Sequence, residues 1–198
     1  MALSTIGANQ IASLPTGSVD TAQLASNAVT DAKLASGAIT SASMPAGSVI
    51  AADYARKTDQ QTFTSTSFAD VTGLTVTMTP ASTSSKFLVT ASVHYGTYHW
   101  SAGGGYFGVY ANSTLIAGSG SVVWMVDYGS DASNAQYENR QYFAQRLYSP
   151  SSTSAQVFKV QMANGSSGYN GYVNRNYISS TGQGSDGECY LSVLEIAG

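Results

Sequence analysis

The sequence predicts an all-β protein in two parts: a C-terminal antiparallel β-sandwich knob, jelly-roll-like, on an N-terminal shaft of intertwined trimeric repeats. Three observations predict it. Residues 1–56 repeat themselves every ten residues. From Lys57 the repeat stops, and short runs of alternating apolar and polar residues follow, separated by Gly, Ser and Asn. Only 10% of residues are charged, whereas 13 are tyrosine and 20 are glycine. Globular chains carry roughly 25% charge. Low charge with many aromatics is the opposite of the disordered signature and suits short strands joined by tight turns.

The repeat comes first in the chain. Its decads open at Gly7, Gly17, Asn27, Gly37 and Gly47, and an alanine follows five places later at Ala12, Ala22, Ala32, Ala42 and Ala52. Two places beyond stand Leu14, Leu24, Leu34, Met44 and Tyr54; Val19, Val29, Ile39 and Val49 fill the third position of the last four decads. A fixed period marks small units that cannot bury their apolar faces alone. With two large apolar groups per decad, one copy has no core, and several copies around a common axis have one. Collagen needs glycine at every third residue, and a coiled coil needs apolar spacing of 3.5; neither fits. Pro15 and Pro45 interrupt any long helix. The expected solution is three intertwined chains with the leucines toward the axis. A disordered alanine- and serine-rich tail is the alternative for the same residues. The division predicted is 1–56 for the trimerising, attaching shaft and 57–198 for the knob.

The strands follow in order. Leu74, Val76 and Met78 alternate with threonines until Pro80, and Phe87, Val89, Ala91 and Val93 alternate next. Tyr106 to Tyr110, an Asn112-Ser113 turn and Leu115-Ile116 read as a hairpin. Further strands are expected at Val122 to Val126, Arg140 to Tyr148, Gln156 to Met162, Tyr172 to Ile178 and Tyr190 to Ile196. Eight or nine short strands with turn-forming gaps suit an antiparallel sandwich.

Two stretches resemble bacteriophage tail-fibre and virion-decoration proteins, particularly those of phages of cyanobacteria and other marine bacteria. One runs through Val29-Thr30-Asp31-Ala32-Lys33-Leu34 and Met44-Pro45-Ala46-Gly47-Ser48-Val49-Ile50. The other is Phe68-Ala69-Asp70-Val71-Thr72-Gly73-Leu74, continuing through Pro80 and Ser82-Thr83-Ser84-Ser85-Lys86 to Val93. The closing Leu191-Ser192-Val193-Leu194-Glu195-Ile196 is similar to the last strand of such fibre knobs. The resemblance implies a homotrimer with an N-terminal stalk attached to other virion proteins and a C-terminal β-rich head. It implies a virion location, on the tail or the capsid exterior, after assembly in the host cytoplasm. A short fibre or spike for host attachment is the leading expectation, and a capsid decoration or head-fibre protein is the alternative. A polysaccharide-degrading spike is the third alternative, behind these two because such spikes are usually long parallel β-helices, for which this chain is too short.

Composition and motifs narrow the chemistry. A net charge of −3 gives no basic footprint for nucleic acid. No apolar run approaches the roughly 20 residues needed to span a bilayer, and no secretory signal is recognisable at the start. Cys189 is the only cysteine, which removes any internal disulfide, and it reads as a buried small hydrophobe. Gly103-Gly104-Gly105-Tyr106-Phe107-Gly108 matches a dinucleotide pattern, with Asp127 beyond it. The pattern needs a helix start, whereas Tyr106 to Tyr110 reads as a strand. His94 and His99 are the only histidines, and strand spacing puts them on opposite faces. Asp127, Asp131 and Glu138 lack the dense alternation of a calcium loop. No Gly-x-Ser-x-Gly elbow precedes a helix. The expectation is no enzyme, no cofactor and no metal.

What clusters is aromatic and amide character. Tyr95, Tyr98, Trp100, Tyr106 and Tyr110 form one group, and Trp124, Tyr128 and Tyr137 a second. Tyr169, Tyr172 and Tyr177 form a third with Asn170, Asn174, Arg175 and Asn176. Rigid rings with polar handles stack on sugar C–H faces while amides and arginine bond the hydroxyls. The predicted glycan-binding residues of the tip are Tyr98, Trp100, Tyr128, Tyr169, Tyr172 and Arg175, in loops 97–105, 128–137 and 165–187. Half or more of these rings are expected to serve the core or an interface between copies.

Overall fold

Alternation of buried and exposed side chains builds the strands. In β3 (Ala69–Met78) Val71, Leu74, Val76 and Met78 turn inward, and in β4 (Lys86–Thr97) Phe87, Val89, Ala91, Val93 and Tyr95 do so. The computed structural model describes residues 43–97, 104–116, 123–125, 139–178 and 187–198, with residues 29, 30, 34, 36, 39 and 40 of the repeat. The chain divides into two units, Met1–Thr40 and Ser41–Gly198. In the first, the described apolar residues Val29, Leu34 and Ile39 are exposed.

The second unit is all-β, with no α-helix among the described residues. The remaining strands are β1 (Val49–Lys57), β2 (Gln61–Phe63), β5 (Gly105–Ala111), β6 (Thr114–Leu115), β7 (Val123–Met125), β8 (Arg140–Tyr148), β9 (Gln156–Asn164), β10 (Gly171–Val173) and β11 (Cys189–Ile196). All their pairings are antiparallel. In the first sheet β1 pairs β11, β11 pairs β4 over Lys86–Ser92, and β8 pairs the opposite edge of β4. Beyond Ser92 the β11 side of β4 is taken over by β10, which pairs Tyr95–Thr97 and carries β2 beside it. The second sheet runs β3-β9-β5-β6, with β7 also on β5.

The two sheets face each other across one core. Phe87 of β4 meets Phe158 of β9 edge-on, with ring centroids 5.0 Å apart, and Val76, Phe107, Val160, Leu191 and Val193 belong to the same buried core. A fully buried ring or branched side chain of this kind contributes about 1.5–3 kcal/mol. Two local devices shape the second sheet. Gly73, at φ 85°, allows β3 to bulge between Asp70 and Thr75, so that Val71 and Leu74 both stay buried. Asn112, at φ 55°, turns β5 into β6 in the two-residue hairpin that its sequence predicts.

Three differences from the sequence reading have physical causes. The fifth decad is sheet: β1 spans Val49–Lys57 and pairs β11 from end to end, so the line drawn after residue 56 falls inside a strand. Its outward positions keep the decad spacing while Ala51, Ala55 and Lys57 turn toward the body. Secondly, the strand expected through Ile178 stops at Val173, because Asn174 takes a φ of 59° and reverses the chain. Thirdly, β2 is three residues long, too short for a periodicity to register.

Candidate functional site

The reversal at Asn174 builds the most distinctive surface feature among the described residues. Tyr172 of β10 pairs with Gly96 of β4 and Thr62 of β2, and it points away from the core, opposite in sense to Val173 and Tyr95. It is nonetheless only 6% exposed. The chain doubles back after Asn174 and lays Arg175 and Tyr177 over it. The guanidinium carbon of Arg175 lies 4.2 Å from the Tyr172 ring centroid, and the Tyr177 ring meets Tyr172 edge-on at 5.9 Å. Arg175 Nε donates to the Asn176 carbonyl at 3.0 Å, and its terminal nitrogen donates to the Tyr177 carbonyl at 3.1 Å. These bonds use two of the five N–H donors of a guanidinium and hold the group over the ring.

Beside this stack lies a shallow depression of about 280 Å³ lined by Gly168, Tyr169, Asn170 and Tyr177. Tyr169 is half-buried, and Asn170 and Tyr177 are exposed. Glycine at 171 makes the corner possible. A Cβ there would lie 2.5 Å from Asn164 Oδ1 and 2.7 Å from the Tyr95 ring. Asn164 in turn donates through Nδ2 to the carbonyls of Phe63 and Tyr169, at 2.6 and 2.9 Å, which fixes the loop that carries Tyr169.

The structure therefore brings together Tyr169, Tyr172 and Arg175. Tyr98, Trp100 and Tyr128 lie outside the described residues. Tyr172 forms the floor of the stack, and the exposed ring is that of Tyr177, which the site prediction omitted. The signal for it lay in the sequence: Asn174, two residues after Tyr172, is a residue type tolerant of positive φ.

The first aromatic group divides. Tyr95 is a core residue, while Tyr106 and Tyr110 stand on the outer face of the second sheet with Gly108 between them. Gly105–Ala111 is a strand, so the glycine-rich run opens no helix for a pyrophosphate. Next to Tyr110 and Gly108, Asp70 accepts from Gln161 at 2.6 Å and pairs with Lys159 at 2.9 Å. His94 is half-buried on β4, and desolvation lowers its pKa. His99, Asp127, Asp131 and Glu138 lie outside the described residues. Among the described residues no three His, Cys, Asp or Glu side chains converge as metal ligands do.

Fold and surface together define a class: an all-β protein of two curled antiparallel sheets with an aromatic corner at one end of the first. Comparison adds no narrower assignment, because no protein-family model and no curated protein matches the chain. No helix among the described residues is long and apolar enough to cross a membrane.

Proposed function

We propose that this chain is a non-enzymatic structural protein of a bacteriophage virion: a homotrimeric short fibre or spike. Its jelly-roll-like knob binds a glycan on the host surface, and its intertwined repeat shaft attaches to other virion proteins. The observation that carries the proposal is the repeat itself. Leu34 and Met44 occupy the same decad position and are both exposed, as are Val29 and Ile39 at the third position. Apolar side chains recurring at a fixed interval without cover are what a shaft of several wrapped copies requires. The corner of Tyr169, Asn170, Arg175 and Tyr177 supplies the sugar-binding half of the reading. It offers an exposed ring for stacking, an exposed amide, and guanidinium donors beyond the two already bonded.

Immunogold labelling of intact particles, with an antibody raised against the whole chain, tests the location. Gold at the tail supports host attachment. Gold scattered over the head supports the alternative, a capsid decoration or head-fibre protein. Absence of gold from both, with the epitope accessible in released protein, removes the virion reading.

A further inference from the structure

The first sheet presents one face to the core and another to solvent, and the second is unusually apolar for a surface. Register places Ala52, Leu194, Leu88 and Leu147 side by side across β1, β11, β4 and β8. The next row is Tyr54, Ser192, Thr90 and Gln145, and the one beyond is Arg56, Tyr190, Ser92 and Phe143. Tyr54 is 70% exposed, Phe143 60% and Leu147 51%. The one charge in these three rows, Arg56, is paired with Glu188. Four strands about 4.8 Å apart with outward rows about 7 Å apart span roughly 400 Å² of plane. Seven of the twelve positions in that plane are apolar or tyrosine, and apolar patches of a few hundred Å² are often functional.

We infer that this face, β1-β11-β4-β8, is covered by further copies of the same chain, packed head to tail around an axis. Three features select that occupant. The first is continuity of sequence. Tyr54 holds the decad position of Leu34 and Met44, so the uncovered apolar series of the repeat runs on into β1 and onto this face. A further copy carries the same series at the same spacing, so like positions of two copies can cover one another. The second is charge: within these three rows the one charged side chain, Arg56, is paired with Glu188, so the rows meet another copy with no like-charge penalty. The third is shape. An open hollow lined by Ala52, Asp53, Tyr54, Tyr190 and Ser192 lies toward the β1 edge, while the bulky Phe143 and Leu147 stand at the β8 edge. Complementary features at opposite edges suit a heterologous contact, in which the β8 edge of one copy enters the β1 side of the next and the ring closes. A standard interface takes about 800 Å² per partner, of which this face supplies about half.

The proposal deepens the homotrimer reading given above by placing an assembly surface on the knob itself. Its test uses the full chain in two single variants, Leu147→Cys on the face and Thr77→Cys on the exposed side of β3, on the other sheet. Cys189 is buried, so the unmodified chain sets a low background. Light scattering gives the mass of each variant, and maleimide labelling gives the rate at each introduced thiol. The expected result is a multimer in which Leu147→Cys reacts at least tenfold more slowly than Thr77→Cys. Equal rates in a multimer overturn this proposal and leave assembly to the repeat, so the homotrimer reading survives. A monomer with equal rates overturns both. A monomer protected at Leu147→Cys overturns the proposal as well, because the chain's own repeat would then be the cover. Phe143→Lys provides a second reading: it should weaken association at least tenfold with an unchanged β-sheet circular dichroism spectrum, and unaltered association counts against the face.

Discussion

The thiol of Cys189 donates to Oδ1 of Asn174 at 3.0 Å, and both residues are fully buried. The bond sits where β11 gives way to β10 along β4. Asn174 uses its remaining groups to tie the surroundings together: Nδ2 donates to the carbonyls of Lys57 and Asp59 at 2.9 and 3.1 Å, and its backbone N–H donates to His94 at 3.1 Å. The His94 N–H donates in turn to the sulfur at 3.2 Å. One asparagine therefore joins the ends of β1 and β10 to the middle of β4.

Burial pushes the Cys189 thiol up from 9.0 to about 11. The folded state thus keeps a proton that the unfolded chain releases above pH 9, so stability is fully present below pH 9 and declines as pH rises to about 11. A shift of this size is worth about 2–3 kcal/mol. Denaturation of the native chain and of Cys189→Ala across pH 8–11 isolates the effect, because the substitution removes only the thiol. The decline should be smaller in Cys189→Ala, and parallel curves would refute it.

Asn174→Ala removes the side-chain bonds to Lys57, Asp59 and Cys189 and also places alanine at a φ of 59°. Buried groups left without partners cost about 1–3 kcal/mol each, and the left-handed conformation adds about 1 kcal/mol. The expected loss is about 3 kcal/mol or more in urea denaturation. Asn174→Gly relieves the backbone strain alone and should recover only the smaller part.

Gly171→Ala tests the corner from its core side. The added methyl would stand 2.5 Å from Asn164 Oδ1 and 2.7 Å from the Tyr95 ring, and both neighbours are buried. Overpacking of this kind costs about 1–3 kcal/mol, to be read as a lowered Tm. An unchanged Tm would mean that Asn164 and Tyr95 move aside freely.

Much of this fold was legible because two-residue alternation survives wherever one face is core and the other is not. Phe87, Val89, Ala91 and Val93 alternate in the sequence and all turn into the core of β4 for that reason, and the Asn112 turn is a local signal that needs no tertiary context. What escaped was set by neighbours. The decad is the stronger pattern in Val49–Arg56, and nothing within it says that β11 lies alongside. Tyrosines near asparagines suit sugars, which marks Tyr172 as a binding ring in the sequence; its burial depends on Arg175 folding back over it, which follows from a single positive φ at Asn174.

Asp70 bears on acid stability. Its hydrogen bond from Gln161, and then that from Lys159, hold its pKa below the usual carboxylate value of 3.8. The unfolded chain takes up the proton first as pH falls, so the contribution is present above pH 3.8 and is lost as pH drops through the folded pKa. Asp70 is half-exposed, so screening keeps its share below about 1 kcal/mol. Asp70→Asn should flatten the acid limb of the stability curve slightly between pH 4 and 2, and an unaltered limb would show that the pair contributes nothing.

The corner makes opposite demands on its two rings, and that separates binding from folding. Tyr172 is the covered floor, so Tyr172→Ala should behave as a core truncation and lower stability by about 3 kcal/mol. Tyr177 is 37% exposed, and its packing edge-on against Tyr172 is worth about 0.5–1.5 kcal/mol. Tyr177→Ala should therefore remain folded while losing at least tenfold in affinity for host-cell polysaccharide, measured by calorimetry or by adsorption of the purified chain to cells. Arg175→Lys keeps the charge but not the flat fork that lies on Tyr172 and bonds two carbonyls, so it should lose binding and stability together. Undiminished binding by a folded Tyr177→Ala chain would remove the glycan assignment from this corner and leave the outward Tyr106 and Tyr110 of β5 as the next surface to substitute.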